Sequence, residues 1–524
     1  MPAAPNRFDS ATIALFVLAL LAPTLDQCLR PDGARDSSVA EQRGAAPRPT
    51  LPRNLEQVTS FPRQYESHYD DTFGLRDVLL RWNSIERTLG LGSSPAPLID
   101  PAREGWCFYL GERAREAHRG VIPFTTAELD GWVARLRERR DFLARQGARY
   151  LFVPCPSKDV IYPERTPPTW RPLGPSRLEQ LLARLEREGD IPFLDLRPAL
   201  LAAKAGDRFE DWVYTRCGTH WNGRGIYAAY EAIVARLQAD FPALEVLPLS
   251  ACKKVEQKNG SESLARLLYI SDLLPQVHYS FVAKEKHHEV LVASKEQKTG
   301  SKLVTRRAID APRLLWLHDS FGPFALMCES FSYVQSQRVN EFSADAVREA
   351  RPDVVLETYV DRVLTTQRPH LPIVGSSSAS ADEQFERLKD LAWRDEFSDR
   401  FAPPQAAGRA ALERSDEGML LRTKGPEDGL RLPAIDLPLG RFALLCLTGV
   451  CSEPVEVDVF VRREGESAFL PQNHAALVLR PEAGRASVRL PNVGTRFETL
   501  LRPRAPAREL RLSELEVRRG PAGR

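Results

Sequence analysis

The stretch Leu314-Leu-Trp-Leu-His-Asp-Ser-Phe-Gly322 joins an apolar run to a turn that contains serine and glycine. Its first four residues are consecutive apolar side chains, a pattern that predicts a buried strand. A serine just after such a strand, before a glycine-containing turn, lies where α/β enzymes place their nucleophiles. Ser320 is therefore a candidate nucleophile.

A second motif, Gly218-Thr-His-Trp221, lies about 100 residues earlier in the chain. His220 is a candidate base for Ser320, because triad members need only meet in space and imidazole titrates near neutral pH. The acyl-enzyme would then pass its acyl group to a hydroxyl or to water. The backbone N–H of Ser320 is a candidate oxyanion donor. We expect Asp319 to brace the turn rather than act as triad acid, since adjacent side chains usually diverge.

Strands and helices alternate through the first two thirds of the chain. Helical patterns cover residues 65–89, 125–146, 176–188 and 223–240, and strand-like runs cover residues 104–110, 150–154, 191–195, 313–317 and 353–357. This alternation predicts an α/β domain with a mostly parallel sheet flanked by helices.

The last part of the chain has a different pattern. Residues 366–407 are interpreted as a linker with one helix over residues 382–394. From residue 408 to residue 524, short runs alternate apolar and polar residues and predict strands at 441–446, 455–461, 476–479, 486–490 and 510–517. The pattern favours an all-β sandwich, jelly-roll-like, in this region.

Composition excludes some functions and leaves others open. The chain of 524 residues carries 72 basic and 70 acidic residues, so its net charge of +2 gives no sign of nucleic-acid binding. Eight cysteines are scattered without zinc-binding spacing, and no metal or organic cofactor is expected. Cys446 and Cys451 could bridge in an oxidising compartment.

The N-terminus carries a targeting signal. An uncharged apolar run from Ala11 to Ala22 follows Arg7 and matches the central region of a signal peptide or a short signal anchor. We expect residues 1–30 to be an uncleaved anchor, with a buried helix of the fold as the alternative. Residues 31–60, rich in arginine, proline, alanine and serine, are interpreted as a linker.

Several short motifs occur together in one order between residues 60 and 365. They are Asp71-Thr-Phe-Gly-Leu-Arg76, Gly105-Trp106, Val153-Pro-Cys-Pro-Ser-Lys158 with Tyr162-Pro163, Thr219-His-Trp-Asn222 with Gly225, Asp319-Ser-Phe-Gly322, and Pro352-Asp353 leading to Asp361-Arg362. In this order the set resembles the periplasmic alginate O-acetyltransferase group (AlgX/AlgJ-type) of the SGNH hydrolase superfamily. The resemblance implies an SGNH hydrolase-like acetyltransferase domain over residues 61–365.

The resemblance also implies a function. Members of the group move acetyl groups onto hydroxyls of exopolysaccharides during export, with a serine nucleophile and a histidine base, here Ser320 and His220. It implies a polysaccharide substrate such as alginate and an acetyl donor from a membrane partner protein. It further implies a periplasmic location, tethered to the inner membrane, or secretion if the N-terminus is cleaved. Some relatives carry a C-terminal carbohydrate-binding sandwich, with which residues 408–524 are compatible.

The chain departs from the group at one decisive position. The triad acid is normally an aspartate two residues before the histidine, and here that residue is Gly218. Loss of the triad acid costs about 10⁴ in kcat in the serine protease used as the standard example. Three outcomes stay open: a replacement carboxylate such as Asp211 or Glu210, a slow Ser–His dyad, or a noncatalytic polysaccharide-binding component of an export complex.

Four further residues are candidates for support. Lys158 follows one predicted strand, and Tyr359 and Arg362 follow another, so all three could line the rim that carries Ser320. Capping or a surface ion pair explains Arg362 equally well. Asn222 is a candidate cap for the helix that follows His220.

Overall fold

The structure is a computed structural model of the 524-residue chain. It describes residues 7–29, 46–206, 211–257, 263–274, 276–294, 301–322, 324–338, 341–366, 373–376, 379–395, 401–415, 418–470, 473–481, 484–504 and 509–521. Residues 31–45 of the predicted linker and Glu210 therefore lie outside the described residues.

Three helices form the N-terminal part of the described chain. They are α1 Arg7–Leu29, α2 Leu55–Thr72 and α3 Arg76–Ser84, the last continued by a π-helical turn, Ile85–Gly90. The predicted helix over residues 65–89 is thus interrupted, because Leu75 adopts a left-handed conformation with φ of 59°. Helix α2 also begins inside the predicted linker.

A mixed six-stranded sheet forms the centre of the next region. The strands of the region are β1 Ile99–Pro101, β2 Cys107–Tyr109, β3 Arg149–Cys155, β4 Cys252–Glu256, β5 Tyr279–Ala283, β6 Glu289–Ser294, β7 Lys302–Arg306, β8 Arg313–His318, β9 Tyr333–Arg338 and β10 Val354–Val360. The strand order in the sheet is β3-β10-β8-β9-β7-β6. The three pairings among β3, β10, β8 and β9 are parallel, and the two that add β7 and β6 are antiparallel.

Helices cover both faces of this sheet. They are α4 Ala114–His118, α5 Thr126–Arg145, α6 Lys158–Ile161, α7 Arg177–Glu188, α8 Arg197–Lys204, α9 Gly223–Gln238, α10 Ser263–Leu267, α11 Met327–Ser330 and α12 Ala344–Ala350. Thr125 and Ser176 begin α5 and α7 with capping boxes, at the starts of the predicted helical ranges 125–146 and 176–188. The α/β fold class is confirmed.

Side-chain alternation along the strands builds a separate apolar core on each face. Leu314 and Trp316 of β8 pack into the core that contains α9, whereas Leu315 and Leu317 pack into the core that contains α5 and α7. The predicted strand over residues 191–195 is wrong, because only Phe193 pairs, in a single bridge to Phe152. Pro192 has no N–H to donate to a neighbouring strand.

The C-terminal part consists of α13 Ala379–Arg387 and eleven strands. They are β11 Asp390–Arg394, β12 Gln405–Ala407, β13 Ala411–Ser415, β14 Gly418–Arg422, β15 Gly429–Asp436, β16 Ala443–Val450, β17 Val455–Arg463, β18 His474–Leu479, β19 Arg485–Arg489, β20 Arg496–Pro503 and β21 Glu509–Arg519. They form two antiparallel sheets, β13-β14-β21-β16-β19 with β11 beside β21, and β12-β15-β20-β17-β18. Apolar side chains from both sheets share one core, which confirms a sandwich.

Two expectations for this region are wrong. The helix predicted over residues 382–394 ends at Arg387, and β11 follows because Trp393 is buried in the sandwich core while its strand pairs with β21. Cys446 and Cys451 cannot bridge in this structure. Five residues of extended chain separate them, which is about 16 Å at the rise of a strand.

Candidate active site

The carboxyl ends of the parallel strands bring the predicted residues to one edge of the sheet. Ser320 follows β8, Lys158 follows β3 and Arg362 follows β10. Arg338 ends β9 and is paired in register with His318. The crevice outside this edge is where open α/β sheets bind ligands.

The turn that carries Ser320 is held by the preceding aspartate. One carboxylate oxygen of Asp319 accepts a hydrogen bond of 2.8 Å from the backbone N–H of Phe321, and the other accepts one of 2.9 Å from Val360. These bonds are the bracing expected of Asp319. Among the residues that the structure describes, no hydrogen bond involves the hydroxyl or the backbone N–H of Ser320, so both groups are available to a substrate.

The loop that carries His220 is closed by its own backbone. Tyr214 and Trp221 form an antiparallel bridge, and Thr215 donates to the carbonyl of His220 from its N–H (3.0 Å) and its hydroxyl (2.9 Å). The histidine therefore sits at the end of a narrow loop, immediately before helix α9.

Asn222 fixes the start of helix α9, as the sequence predicts. Its side-chain oxygen accepts hydrogen bonds of 3.0 Å from the N–H groups of Gly223 and Tyr279, and its amide donates to the carbonyl of Val277 (3.1 Å). The residue thus joins the His220 loop to the segment that leads into β5.

The two motifs meet at the sheet edge. The imidazole of His220 lies with its centroid 4.8 Å from the ring of Phe321, the residue directly after Ser320, and Trp221 packs on the same ring at 4.9 Å. Within the described part of the chain, no hydrogen bond joins His220 to Ser320. His220, the candidate base, therefore lies beside the turn that carries Ser320. The hydrogen bond that a proton transfer between them needs is not formed.

The electrostatic surroundings of His220 are positive. Burial, and after it the charges of Arg362, Arg338 and His278 in that order, together lower the pKa of His220 to about 4. The charged imidazole is thereby disfavoured by about 3 kcal/mol relative to a free histidine. A triad carboxylate would act in the opposite direction. The imidazole is thus neutral at pH 7 but is a weak base.

Asp211 does not face the imidazole. Its carboxylate accepts a hydrogen bond from the hydroxyl of Tyr279 and lies 3.5 Å from the guanidinium of Arg224. Asp211 is not among the groups that shift the pKa of His220. The structure therefore places this candidate acid beside α9 and β5, in a structural network.

Lys158 lies beneath the His220 loop instead of at a solvent-exposed rim. The side chain is buried, and its ammonium donates to the carbonyls of Cys107 (2.5 Å), Gly218 (2.7 Å), Arg216 (2.8 Å) and Thr215 (3.2 Å). Burial lowers the pKa of Lys158 to about 8. The cation therefore holds three carbonyls of the five residues that precede His220.

Residues 99–308 match the family model described as "SGNH hydrolase-like domain, acetyltransferase AlgX", which is 210 of the 524 residues. This segment is thus similar to the AlgX acetyltransferase family. A comparison with curated proteins finds no match.

Three solved structures are similar to parts of this chain. Pseudomonas putida AlgJ, O-acetyltransferase domain, is 19% identical with a TM-score of 0.35, and the match covers 52% of this chain and 94% of that one. Pseudomonas aeruginosa AlgX is 14% identical with a TM-score of 0.35, and the match covers 83% of this chain and 96% of that one. Bacillus cereus PatB1 is 13% identical with a TM-score of 0.38, and the match covers 47% of this chain and 94% of that one.

Arg362 and Tyr359 lie on different faces of the six-stranded sheet. The guanidinium of Arg362 lies over the rings of Tyr109 (5.5 Å) and Phe321 (5.7 Å), and its Nε is 2.8 Å from a carboxylate oxygen of Glu112. Tyr359 is buried in the core on the face opposite His220. The structure thus brings Arg362 to the site and does not bring Tyr359 there.

Two further residues lie close enough to His220 to shift its pKa. Arg338 and His278 both lower the pKa of His220, and neither stands in a recognised motif. Strand β9, which ends at Arg338, was absent from the predicted strands. The sequence of this strand, Tyr-Val-Gln-Ser-Gln-Arg, has few apolar residues and indicates a strand only weakly. Within the described residues, no group of three His, Cys, Asp or Glu side chains could hold a metal ion.

Proposed function

We propose that this protein takes part in O-acetylation of an exported polysaccharide such as alginate, with Ser320 as nucleophile and His220 as base. The observation that carries the proposal is the meeting of the two motifs at the carboxyl edge of the sheet, with the His220 ring 4.8 Å from Phe321. The AlgX family match over residues 99–308 supports the reaction class.

The chemistry follows from the residues present. The Ser320 oxygen attacks the acetyl carbonyl of the donor while His220 accepts the serine proton, and the Ser320 N–H donates to the oxyanion. Collapse expels the leaving group, which takes that proton from His220. A sugar hydroxyl then attacks the acetyl-enzyme, gives its proton to His220, and Ser320 leaves with that proton.

The arrangement in the cell completes the proposal. Residues 61–365 form the acetyltransferase domain and residues 408–524 hold the polymer. The window Ser10–Gln27 of helix α1 is long and apolar enough to cross a membrane and is exposed along its length, which supports an anchor in the inner membrane. A membrane partner protein supplies the acetyl group on the periplasmic side.

A second function rests on one specific observation. The residue in the place of the triad acid is Gly218, and the groups that shift the pKa of His220 are all cationic or imidazole groups. A polysaccharide-binding component that has lost catalysis would look this way. It would use the same crevice and the C-terminal sandwich.

Turnover of 4-nitrophenyl acetate by the full chain distinguishes the two functions. We expect the wild type to form an acetyl adduct, detected by intact mass spectrometry, and Ser320→Ala to lack both adduct and turnover. Ser513→Ala, at an exposed serine of the sandwich, is the matched control and keeps wild-type rates. Equal rates of ester turnover for wild type and Ser320→Ala would contradict catalysis by Ser320 and favour the polysaccharide-binding function.

A further inference from the structure

Helix α2 carries an unusual surface stripe. Four aromatic rings at spacings of four residues stack along it, with centroid separations of 6.1, 6.5 and 5.9 Å between Phe61, Tyr65, Tyr69 and Phe73. Tyr65 is 52% exposed, and most of the helix is exposed. A helix of this length without packing is marginal in water.

Helix α3 also exposes apolar side chains. Val78, Leu79 and Trp82 lie on its outer face, and Trp82 is 66% exposed. Val78 and Trp82 are four residues apart and therefore stand above one another on the helix. We call the exposed side chains Tyr65, Tyr69, Val78, Leu79 and Trp82 the N-terminal apolar surface.

The end of α1 touches the junction between these two helices. The carboxylate of Asp26 accepts a hydrogen bond of 2.9 Å from the backbone N–H of Leu75. The packing at Gly74 is so close that a Cβ there would lie 2.8 Å from the backbone nitrogen of Gln27. Asp26 and Gln27 are the last residues of the apolar window. The N-terminal apolar surface therefore begins where the candidate span ends.

We propose that the N-terminal apolar surface lies on the bilayer, at the interface between headgroups and acyl chains. This proposal rests on the proposed membrane anchor. Tyrosine and tryptophan concentrate at this interface because their rings are apolar and their tips are polar. The end of the span contacts the chain at Gly74 and Leu75, so a bilayer that holds α1 also meets the start of α3.

Docking of α3 would orient the candidate active site relative to the membrane. Arg81 of α3 donates to both carboxylate oxygens of Asp272 (2.6 and 2.7 Å) and to the carbonyl of Tyr269 (2.7 Å). Helix α10 lies just before Tyr269 in the chain. The backbone N–H of its Leu264 donates a hydrogen bond to the carbonyl of Cys217, three residues before His220. A short series of contacts thus joins the membrane surface to the His220 loop.

Fluorescence quenching in nanodiscs tests the docking. The full chain is reconstituted into phosphatidylcholine nanodiscs whose acyl chains are brominated near the headgroup end. We expect quenching of a tryptophan component that is lost in Trp82→Phe. Trp212→Phe, a change at a half-buried tryptophan of the acetyltransferase domain, is the control and keeps the quenched component.

The outcomes separate docking from anchoring. Failure to elute with nanodiscs would overturn the anchor, and the docking with it. Elution with nanodiscs, but with no quenching or with equal quenching in wild type and Trp82→Phe, would overturn the docking alone. A concentration-dependent dimer that Leu79→Ser abolishes, with no bromine quenching, would assign the surface to a second copy. Turnover of the aryl acetate, measured on the same samples, tests the proposed reaction independently.

Discussion

The ammonium of Lys158 donates a hydrogen bond of 2.7 Å to the backbone carbonyl of Gly218. The residue at the usual position of the triad acid thus presents a carbonyl to a buried cation. Because Lys158 also binds the carbonyls of Thr215 and Arg216, the loop before His220 is fixed through its backbone. None of the groups that shift the pKa of the His220 imidazole is a carboxylate.

Removing the cation should loosen this loop. Lys158→Met leaves buried carbonyls without a donor, and we expect the free energy of unfolding to fall by about 2–4 kcal/mol in urea denaturation. Ester turnover per folded molecule should fall as well. Lys253→Met, at an exposed lysine of β4, is the control and should change neither quantity. Unchanged stability in Lys158→Met would contradict the bracing role.

A restored acid should improve catalysis. Gly218→Asp places a carboxylate two residues before His220, and a negative charge there raises the pKa of the imidazole and stabilises its charged form. We expect kcat for an aryl acetate to rise between about tenfold and a thousandfold, within the about 10⁴ that a triad acid contributes. Gly218→Asn has a similar shape without charge and should give no gain. A gain of equal size in both variants would refute the electrostatic explanation.

The pH dependence of turnover should follow the lowered pKa of His220. The reaction needs a neutral imidazole, and the pKa of His220 lies at about 4 because of burial and neighbouring positive charges. We expect the acid limb of kcat/KM near pH 4, where an ordinary histidine would give a limb near pH 6.5. An acid limb at pH 6 or above would show that the imidazole is more exposed than in this structure.

Stability should fall with acid for the same reason. Between pH 6.5 and 4 the unfolded His220 binds more protons than the folded one, so the stability present above pH 6.5 is lost as the pH falls. His318 contributes in the same direction, because burial lowers its pKa to about 4. We expect His318→Gln to flatten the slope of unfolding free energy between pH 6.5 and 4. An unchanged slope would argue against a buried neutral His318.

Arg338 should select for anionic polymers. Its side chain has no hydrogen bond or ion pair within the described residues, and it lies in register with His318 beside the Ser320 turn. We expect Arg338→Gln to weaken binding of a polyuronate about tenfold in calorimetry at low salt, or about 1.4 kcal/mol. Binding of a neutral glucan should stay unchanged. The same variant should shift the acid limb of kcat/KM upward, because one positive neighbour of His220 is removed.

Local sequence patterns were sufficient for the elements near the site. Leu314 to Leu317 predicted β8, and the helical patterns over residues 125–146 and 176–188 predicted α5 and α7. These features depend on neighbours along the chain, which the sequence displays directly. The strand predicted over residues 191–195 failed, because a strand needs a hydrogen-bonded neighbour and Pro192 offers no donor.

The sequence by itself determined the candidate side chains: a serine after a buried strand, a histidine before a capped helix, and a glycine where an acid is expected. Only the tertiary structure decided what surrounds them. In the folded chain the Asp211 carboxylate accepts a hydrogen bond from Tyr279, and Lys158 binds the loop before His220. Arg338 lies in register with His318, beside the turn that carries Ser320. The reason is that burial and through-space charge depend on residues far apart in the chain, and these meet only when the sheet assembles.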